Sequence, residues 1–392
     1  MKKILFLISS FFFTFSTNFA QGPRLSNSST ISVLTFGPGQ EELYSAFGHS
    51  AIRLYDSINN IDIAFNYGVF DFNQPHFYLN FARGYLYYMV DAYSYPDFRD
   101  YYVEHNRFVH EQILNLTPEQ KQKVADFLVW NIQPKNKTYR YDYFYNNCAT
   151  KIRDAFESAI PNEVAFDSTF IKTDYTIRNL TDIYLSQQPW GDLGIDICLG
   201  LPMDKKARPF EYMFLPDYIE SSFDHAINKS VNQPLVKKKV IVYQSVEEKT
   251  SFHWFHPWII FGIIFLIGSY ITWKDWQQKK LSRWFDVIFF ATIGAIGILL
   301  LFLWTMTDHQ AAAKNFNLFW AFPTHFIVAV VLLKKNQPKW ITHYFLFNAI
   351  LTAILLGVWY LLPQSLNVFL IPIVGVSLLR SLVNFIIRKQ NP

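Results

Sequence analysis

From about Pro257 to its end, the chain carries five apolar stretches, at 257–273, 284–304, 316–333, 341–362 and 365–387. Each is close to the roughly 20 residues that a helix needs to cross a bilayer. The spacing therefore predicts a five-helix transmembrane domain over 251–392. The short loops orient it. KDWQQKKLSR (274–283), KKNQPKW (334–340) and the tail RKQNP hold nearly all the loop lysines and arginines, whereas TMTDHQAAAKN and PQS hold one lysine between them. Basic loops stay on the cytoplasmic side, so the C-terminus is expected inside and residues 21–250 outside. Trp273, Trp284, Trp304 and Trp340 flank the spans, at the depth where interfacial aromatics gather.

The other end of the chain gives the same orientation independently. MKKILFLISSFFFTFSTNFA, residues 1–20, has two lysines, an apolar run, then small and polar residues, which is the anatomy of a signal peptide. A formal net charge of +4 is too mild to argue for nucleic acid as a partner. Cys148 and Cys198 are the only cysteines, so no disulfide framework holds the fold, although one bridge between them stays open in an oxidising compartment. The histidines are scattered without metal-ligand spacing, and neither a metal nor a cofactor is expected.

The exported part alternates like strands at 31–36, 49–55 and 61–69, and has helical periodicity at 96–106, 117–130 and 149–160. In TPEQKQKVADFLVW, Thr117 stands as N-cap with Glu119 and Gln120 in the first turn. Residues 21–160 read as a catalytic domain, and 161–250 as an irregular extension that packs on it and leads to the membrane. That extension includes PWGDLGIDICLGLP (189–202) and a strand at KKVIVYQ. The hairpin 49–69 has a restricted register, because a slip of one residue would turn an apolar face to water. Pairing Tyr55 with Asp62, Ala51 with Asn66 and His49 with Gly68 keeps Ile52 and Leu54 on the same side as Phe65 and Tyr67. Asn66 then becomes a same-face neighbour of His49, within reach of a hydrogen bond. Gly68 leaves open space over the imidazole, where another element can approach. A histidine oriented by an amide and open on one side suits a general base.

That approaching element is expected in YNNCATKIRD. Ile152, Ala155, Phe156, Ala159 and Ile160 share one helical face, Pro161 stops the run, and Asn147 is placed to cap it. Cys148 thus falls at the first helical position, where the helix N-terminus is expected to lower the pKa of a thiol. A thiol there, a histidine on the sheet and an amide behind it form a common arrangement for a cysteine nucleophile. Backbone N–H groups near Asn147 and Ala149 are expected to support an oxyanion. Spacing alone leaves open a structural histidine, and a cysteine that is buried or bridged.

FGHSAIRLYD, AFNYGVFDF, FARGYLYYMV, RYDYFYNNCATKIRD, PWGDLGIDICLGLP, MFLPDYIESSFDHA and TDHQAAAKNFNLFWAFPTH, in that order, resemble the Lnb family of Bacteroidota. The resemblance implies an inner-membrane lipoprotein N-acyltransferase with an N-terminal periplasmic domain. It also implies a fold class: an α+β, papain-like domain of the circularly permuted NlpC/P60 type, in which the histidine strand precedes the cysteine helix. On that implication Cys148 is the nucleophile and His49 the base, while Asn66 follows from the register. The acyl chain would pass from a membrane phospholipid, through a Cys148 thioester, to the α-amine of a diacylated lipoprotein. Two other readings remain: a membrane-anchored cysteine peptidase or amidase acting on cell-wall peptides, and a non-enzymatic periplasmic binding module.

Several further residues stand out. Asp308 and His309, in the exported loop between the second and third spans, are candidates for binding a head group or an amine, with a plain polar loop as the alternative. Arg83 with Tyr85, Tyr87 and Tyr88 is a candidate groove lining, although aromatic packing would explain it as well. His325 is costly within an apolar segment and counts as a candidate site residue. Arg380, in the last span, is expected to reach the cytoplasmic head groups. Asp192 and Asp196 read as loop and cap residues, with support of the site or a cation as the alternative.

Overall fold

The computed structural model describes residues 22–246 and 254–390. The leader read at 1–20 lies outside the described residues. The exported part is built on β1 (Thr30–Phe36), β2 (His49–Asp56), β3 (Ile61–Val69), β4 (Leu86–Ser94), β5 (Val109–Leu114), β6 (Thr138–Tyr141) and, much later, β10 (Val236–Tyr243). They form one sheet in the order β10-β5-β1-β2-β3-β4-β6, with every neighbouring pair antiparallel. Three two-residue strands, β7 (Val164–Ala165), β8 (Ile227–Asn228) and β9 (Gln233–Pro234), make a second small sheet.

Among these lie α1 (Phe77–Arg83), α2 (Tyr95–Glu104), α3 (Pro118–Asn131), α4 (Cys148–Ala159), α5 (Ile177–Leu185), α6 (Pro189–Cys198), α7 (Pro209–Tyr212) and α8 (Pro216–His225). Thr117 caps α3 as the sequence predicts, accepting from the Gln120 N–H while the Gln120 side chain returns to Thr117. The stretch expected to be irregular after residue 160 instead contains α5, α6 and α8. Gly191 and Gly194, with their poor helix propensity, mask α6.

Both sheet faces are covered. On one, Ile31, Val33, Ile52, Leu54, Phe65 and Tyr67 meet Leu128 of α3, Ile152 and Phe156 of α4, and Phe223 of α8. On the other, Leu34, Phe36, Ala51 and Ala64 lie against Tyr95 and Tyr102 of α2. The hairpin pairs Tyr55 with Asp62 and Ala51 with Asn66, as the alternation requires. His49 and Gly68 do not pair. The β2–β3 ladder ends at Ala51–Asn66, and the β3–β4 register shifts between Tyr67 and Val69. The residue in that shift, Gly68, has φ +95°, a left-handed backbone that only glycine adopts freely.

The C-terminal part comprises α9 (Pro257–Gln278), α10 (Arg283–Met306), α11 (Thr324–Leu332), α12 (Trp340–Gly357) and α13 (Ile371–Gln390). Among the described residues four helical segments are long and apolar enough to cross a membrane: Pro257–Gln278, Arg283–Met306, Trp340–Gly357 and Val368–Gln390. The expected third span does not form one continuous helix. Phe316–Phe319 is a 3-10 turn, the chain is irregular to Pro323, and α11 has nine residues. At 1.5 Å per residue α11 is about 14 Å long, under half of the hydrocarbon thickness. The irregular backbone is buried against α10 instead. A Cβ added at Gly297 would lie 1.8 Å from the Ala321 carbonyl oxygen, and one at Gly294 2.3 Å from the Phe326 nitrogen. Non-helical backbone is tolerated at membrane depth where protein covers it.

Arg380 does not reach toward head groups. It is fully buried, with Nε 2.7 Å from Asp286 and an Nη 2.8 Å from Asp275. Asn384 donates to Asp286, and Ser282 donates through N and Oγ to Asp275. The two carboxylates hold the guanidinium inside the bundle.

The exported and membrane parts interlock. Gly200 N donates to Ala311 O at 2.7 Å, Asn315 Nδ2 to Ile197 O at 2.7 Å, and Gln364 Nε2 to Leu199 O at 3.0 Å. Leu193 of α6 is buried in the core of the membrane part, while Ala311 packs on the core of the exported part.

Candidate active site

Asn147 has extended backbone and caps α4. Its Oδ1 accepts from Thr150 N at 3.0 Å, and its own N–H donates to Thr150 Oγ1 at 2.8 Å. Its Nδ2 donates to the carbonyls of Tyr143 and Phe214. Every donor of Asn147 is thus spent on holding the turn, so its part in the site is positional. No N–H of Asn147 is left over for the oxyanion expected near it. The cap fixes Cys148 as the first residue of α4. The thiol lies against the His49–Ser50 peptide, whose N–H points at it together with the N–H groups of Ala149 and Cys148 itself. A Cβ on Gly68 would stand 3.3 Å from Cys148 Cβ and 3.9 Å from the Tyr141 ring. The start of α4 therefore occupies the space that Gly68 leaves.

His49, at the start of β2, has Nε2 2.6 Å from Asn66 Oδ1. With the amide oxygen toward the ring, Nε2 carries the proton and Nδ1 is left as the basic nitrogen. The imidazole lies nearly parallel to Tyr102 (centroids 6.2 Å apart, 11° between planes), with Phe36 and Phe98 also beside it. Arg107 is buried below Tyr102, with its guanidinium 4.6 Å from that ring and Nε donating to Gly37 O at 2.7 Å.

Electrostatics correct one expectation. Burial pushes the Cys148 thiol up to about 11, although the N–H groups of Ser50, Ala149 and Cys148, and then Arg107, pull the other way. Desolvation outweighs the helix start. Burial also lowers His49 to about 4. The Asn66 hydrogen bond opposes that shift, and the Arg107 charge reinforces it. At neutral pH the resting pair is thiol and imidazole, both uncharged. Transfer of the thiol proton to the imidazole would create two opposite charges, and each would offset the desolvation of the other. This arrangement suits proton transfer coupled to attack more than a standing thiolate. Cys148 and Cys198 are both free; the first packs on the sheet-side core and the second on the membrane-side core. The bridge left open by the sequence is not formed.

Arg83, Asp308 and His309 gather around one joint, where α1 ends against the loop that follows α10. Asp308 pairs with Arg140, and its N–H donates to Arg83 O at 2.9 Å. His309 Nδ1 lies 2.8 Å from Thr307 Oγ1, and its ring approaches Gly84. Burial lowers the His309 pKa against the pull of Asp142 and Asp308. Tyr88 stacks on Tyr141 with centroids 4.2 Å apart. His325 is elsewhere: it is buried in α11, with Nδ1 2.8 Å from Tyr344 Oη and its ring against Phe290. Asp192 and Asp196 belong with Asp182 to an acidic group whose oxygens lie within 4.8 Å of one another. Burial, then Asp196 and Asp192, raise Asp182 to about 8. Arg178 at 2.6 Å and Asn367 at 2.9 Å already engage the two Asp196 oxygens.

Sequence reasoning missed Arg107, Tyr102 and Tyr141. The tyrosines of RYDYFYNNC, alternating just before the cysteine, carry the only local signal for one of them. Arg107 and Tyr102 become neighbours of the thiol only through the α2–β5 turn.

These features define a membrane protein with a mixed α/β exported domain, in which the sheet and the helix start packed on it carry half-buried Cys, His and Asn side chains. The model of the Lnb N-terminal periplasmic domain matches residues 24–182, and that of the Lnb transmembrane domain matches residues 247–391. The chain belongs to the Lnb family, with a periplasmic N-terminal domain followed by a transmembrane domain. Family membership suggests a lipoprotein-modifying membrane protein. No curated protein and no solved structure matches the chain.

Proposed function

We propose that the chain is a lipoprotein N-acyltransferase of the bacterial inner membrane, with Cys148 as nucleophile, His49 as base and Asn66 as the residue that orients it. One observation carries the reading: the helix-start thiol lies against the His49–Ser50 peptide, in a domain whose neighbouring turn is bonded to an exported loop of the membrane part. A site fixed at the bilayer suits two lipid-anchored substrates. A free-standing domain would have to lift acyl chains from the membrane at about 0.8 kcal/mol per methylene.

In the first step Sγ attacks an ester carbonyl of a phospholipid. The C–S bond forms, the ester C–O bond breaks, and the thiol proton passes by His49 Nδ1 to the departing lysolipid oxygen. In the second step the α-amine of a diacylglyceryl-cysteine attacks the thioester. The C–N bond forms, C–S breaks, and His49 returns the amine proton to sulfur. The N–H groups of Ser50, Ala149 and Cys148 are the candidate oxyanion donors. The decisive measurement is mass spectrometry of lipoprotein N-termini from cells whose only copy is wild type, Cys148→Ala or His49→Ala. The third acyl chain is expected with wild type alone, and its persistence in both variants refutes the reading.

A further inference from the structure

Residues 70–83, FDFNQPHFYLNFAR, expose more aromatic surface than a water-facing turn and helix warrant. Tyr78 is 78% exposed, Phe72 59%, Leu79 56% and Phe81 43%, and no residue of α1 is buried. An apolar patch of this kind marks an interaction surface, and the place of α1 identifies its partner. Its last residue, Arg83, accepts through its carbonyl from the Asp308 N–H. Asp308 stands two residues beyond Met306, where the membrane-spanning helix α10 ends on the exported side. Gly84, with φ +81°, makes the approach possible, since a Cβ there would lie 3.1 Å from the Asp308 carbonyl carbon. The apolar surface of α1 is thus fastened at the height of the lipid head groups. Arg83 and Arg140 are both exposed at this joint, the second paired with Asp308.

A row of rings leads inward from this surface. Phe81 meets Phe77 (6.2 Å), Phe77 meets Phe72 (4.9 Å), Phe72 meets Phe70 (4.9 Å) and Phe70 meets Tyr88 (5.3 Å). Tyr88 stacks on Tyr141, whose ring lies beside Gly68, on which Cys148 packs. We propose that residues 70–83 dock into the exported leaflet of the bilayer, and that the ring row behind them is the path by which a phospholipid's acyl ester reaches Cys148. The path rests on the acyl-transfer reading; the docking does not.

Two measurements on the full chain in phosphatidylethanolamine/phosphatidylglycerol nanodiscs test this. In a Cys148→Ser, Cys198→Ser background, a spin label at Leu79→Cys is expected to collide more with oxygen than with a water-soluble nickel chelate. A label at Ile58→Cys, 70% exposed at the far end of the hairpin, is expected to do the reverse. If residue 79 behaves like residue 58, the docking is wrong whatever the activity. With both cysteines present, Tyr78→Asp with Leu79→Asp is expected to slow thioester formation from bilayer phospholipid about a hundredfold, as befits the loss of two buried apolar side chains. Turnover of a water-soluble short-chain acyl ester should be unchanged. Equal effects on both donors overturn the path. A wild type that forms no thioester from either donor overturns the acyl-transfer reading and the path together, while the label result still decides the docking.

Discussion

Raising the pH should awaken Cys148 late. With the thiol pushed up to about 11, roughly one molecule in ten thousand holds a thiolate at pH 7. An ordinary cysteine, with a pKa of about 8.5, is about 3% ionised there. The deficit is about 300-fold. A more basic thiolate is also a better nucleophile, and over this interval that returns about a factor of ten. The resting thiol should therefore react with iodoacetamide about thirtyfold more slowly than free cysteine at pH 7. Its rate should climb about tenfold per pH unit with no plateau below pH 10. The assay is peptide mass spectrometry on the full chain carrying Cys198→Ser, sampled from pH 6 to 10. His49→Ala should leave this resting rate within about twofold, because a neutral imidazole contributes no charge, while abolishing acyl transfer. A plateau below pH 8 would mean a standing thiolate–imidazolium pair, and the desolvation argument would fall.

Gly68→Ala forces a Cβ to within 3.3 Å of Cys148 Cβ at φ +95°. A strain of roughly 1–2 kcal/mol is expected, lowering the thermal midpoint by a few degrees, with acyl transfer falling about tenfold or more in a lipid-donor assay. Asn66→Ala removes the 2.6 Å partner of His49 and should cut kcat about 10- to 100-fold with KM little changed. Asn66→Asp keeps an acceptor and raises the His49 pKa, so the acid limb of its pH–rate profile should move to higher pH. Arg380→Met leaves Asp275 and Asp286 buried without their cation and should destabilise the membrane part by about 3–5 kcal/mol, read as a lower melting midpoint in detergent. Adding Asp275→Asn and Asp286→Asn should restore most of that loss.

The hairpin was legible because a two-residue period admits few registers: Ala51 meets Asn66 in the sheet as the alternation of 49–55 and 61–69 demands. The caps at Thr117 and Asn147 were legible for a similar reason, since each is decided within four residues. Other features depended on distant chain and left no local mark. Cys148 looked activated from its helix start, and only the packing of α4 on the sheet shows that burial outweighs the N–H groups. Hydropathy could not show that 316–333 is broken, because the break is set by Gly294 and Gly297 of another helix. Arg380 likewise finds its carboxylates on α9 and α10, about a hundred residues earlier in the chain.

The interlock of residues 192–204 with 311–317 and 364–367 makes the exported domain something other than a ball on a string. A tether lets a catalyst wander and sets only how far it can stray. A clasp fixes the height of the thiol above the membrane plane and the direction it faces. The interlock then carries the positional information between the two parts. Two halves of the chain, separated between residues 246 and 254 and made together, should find each other and work as one.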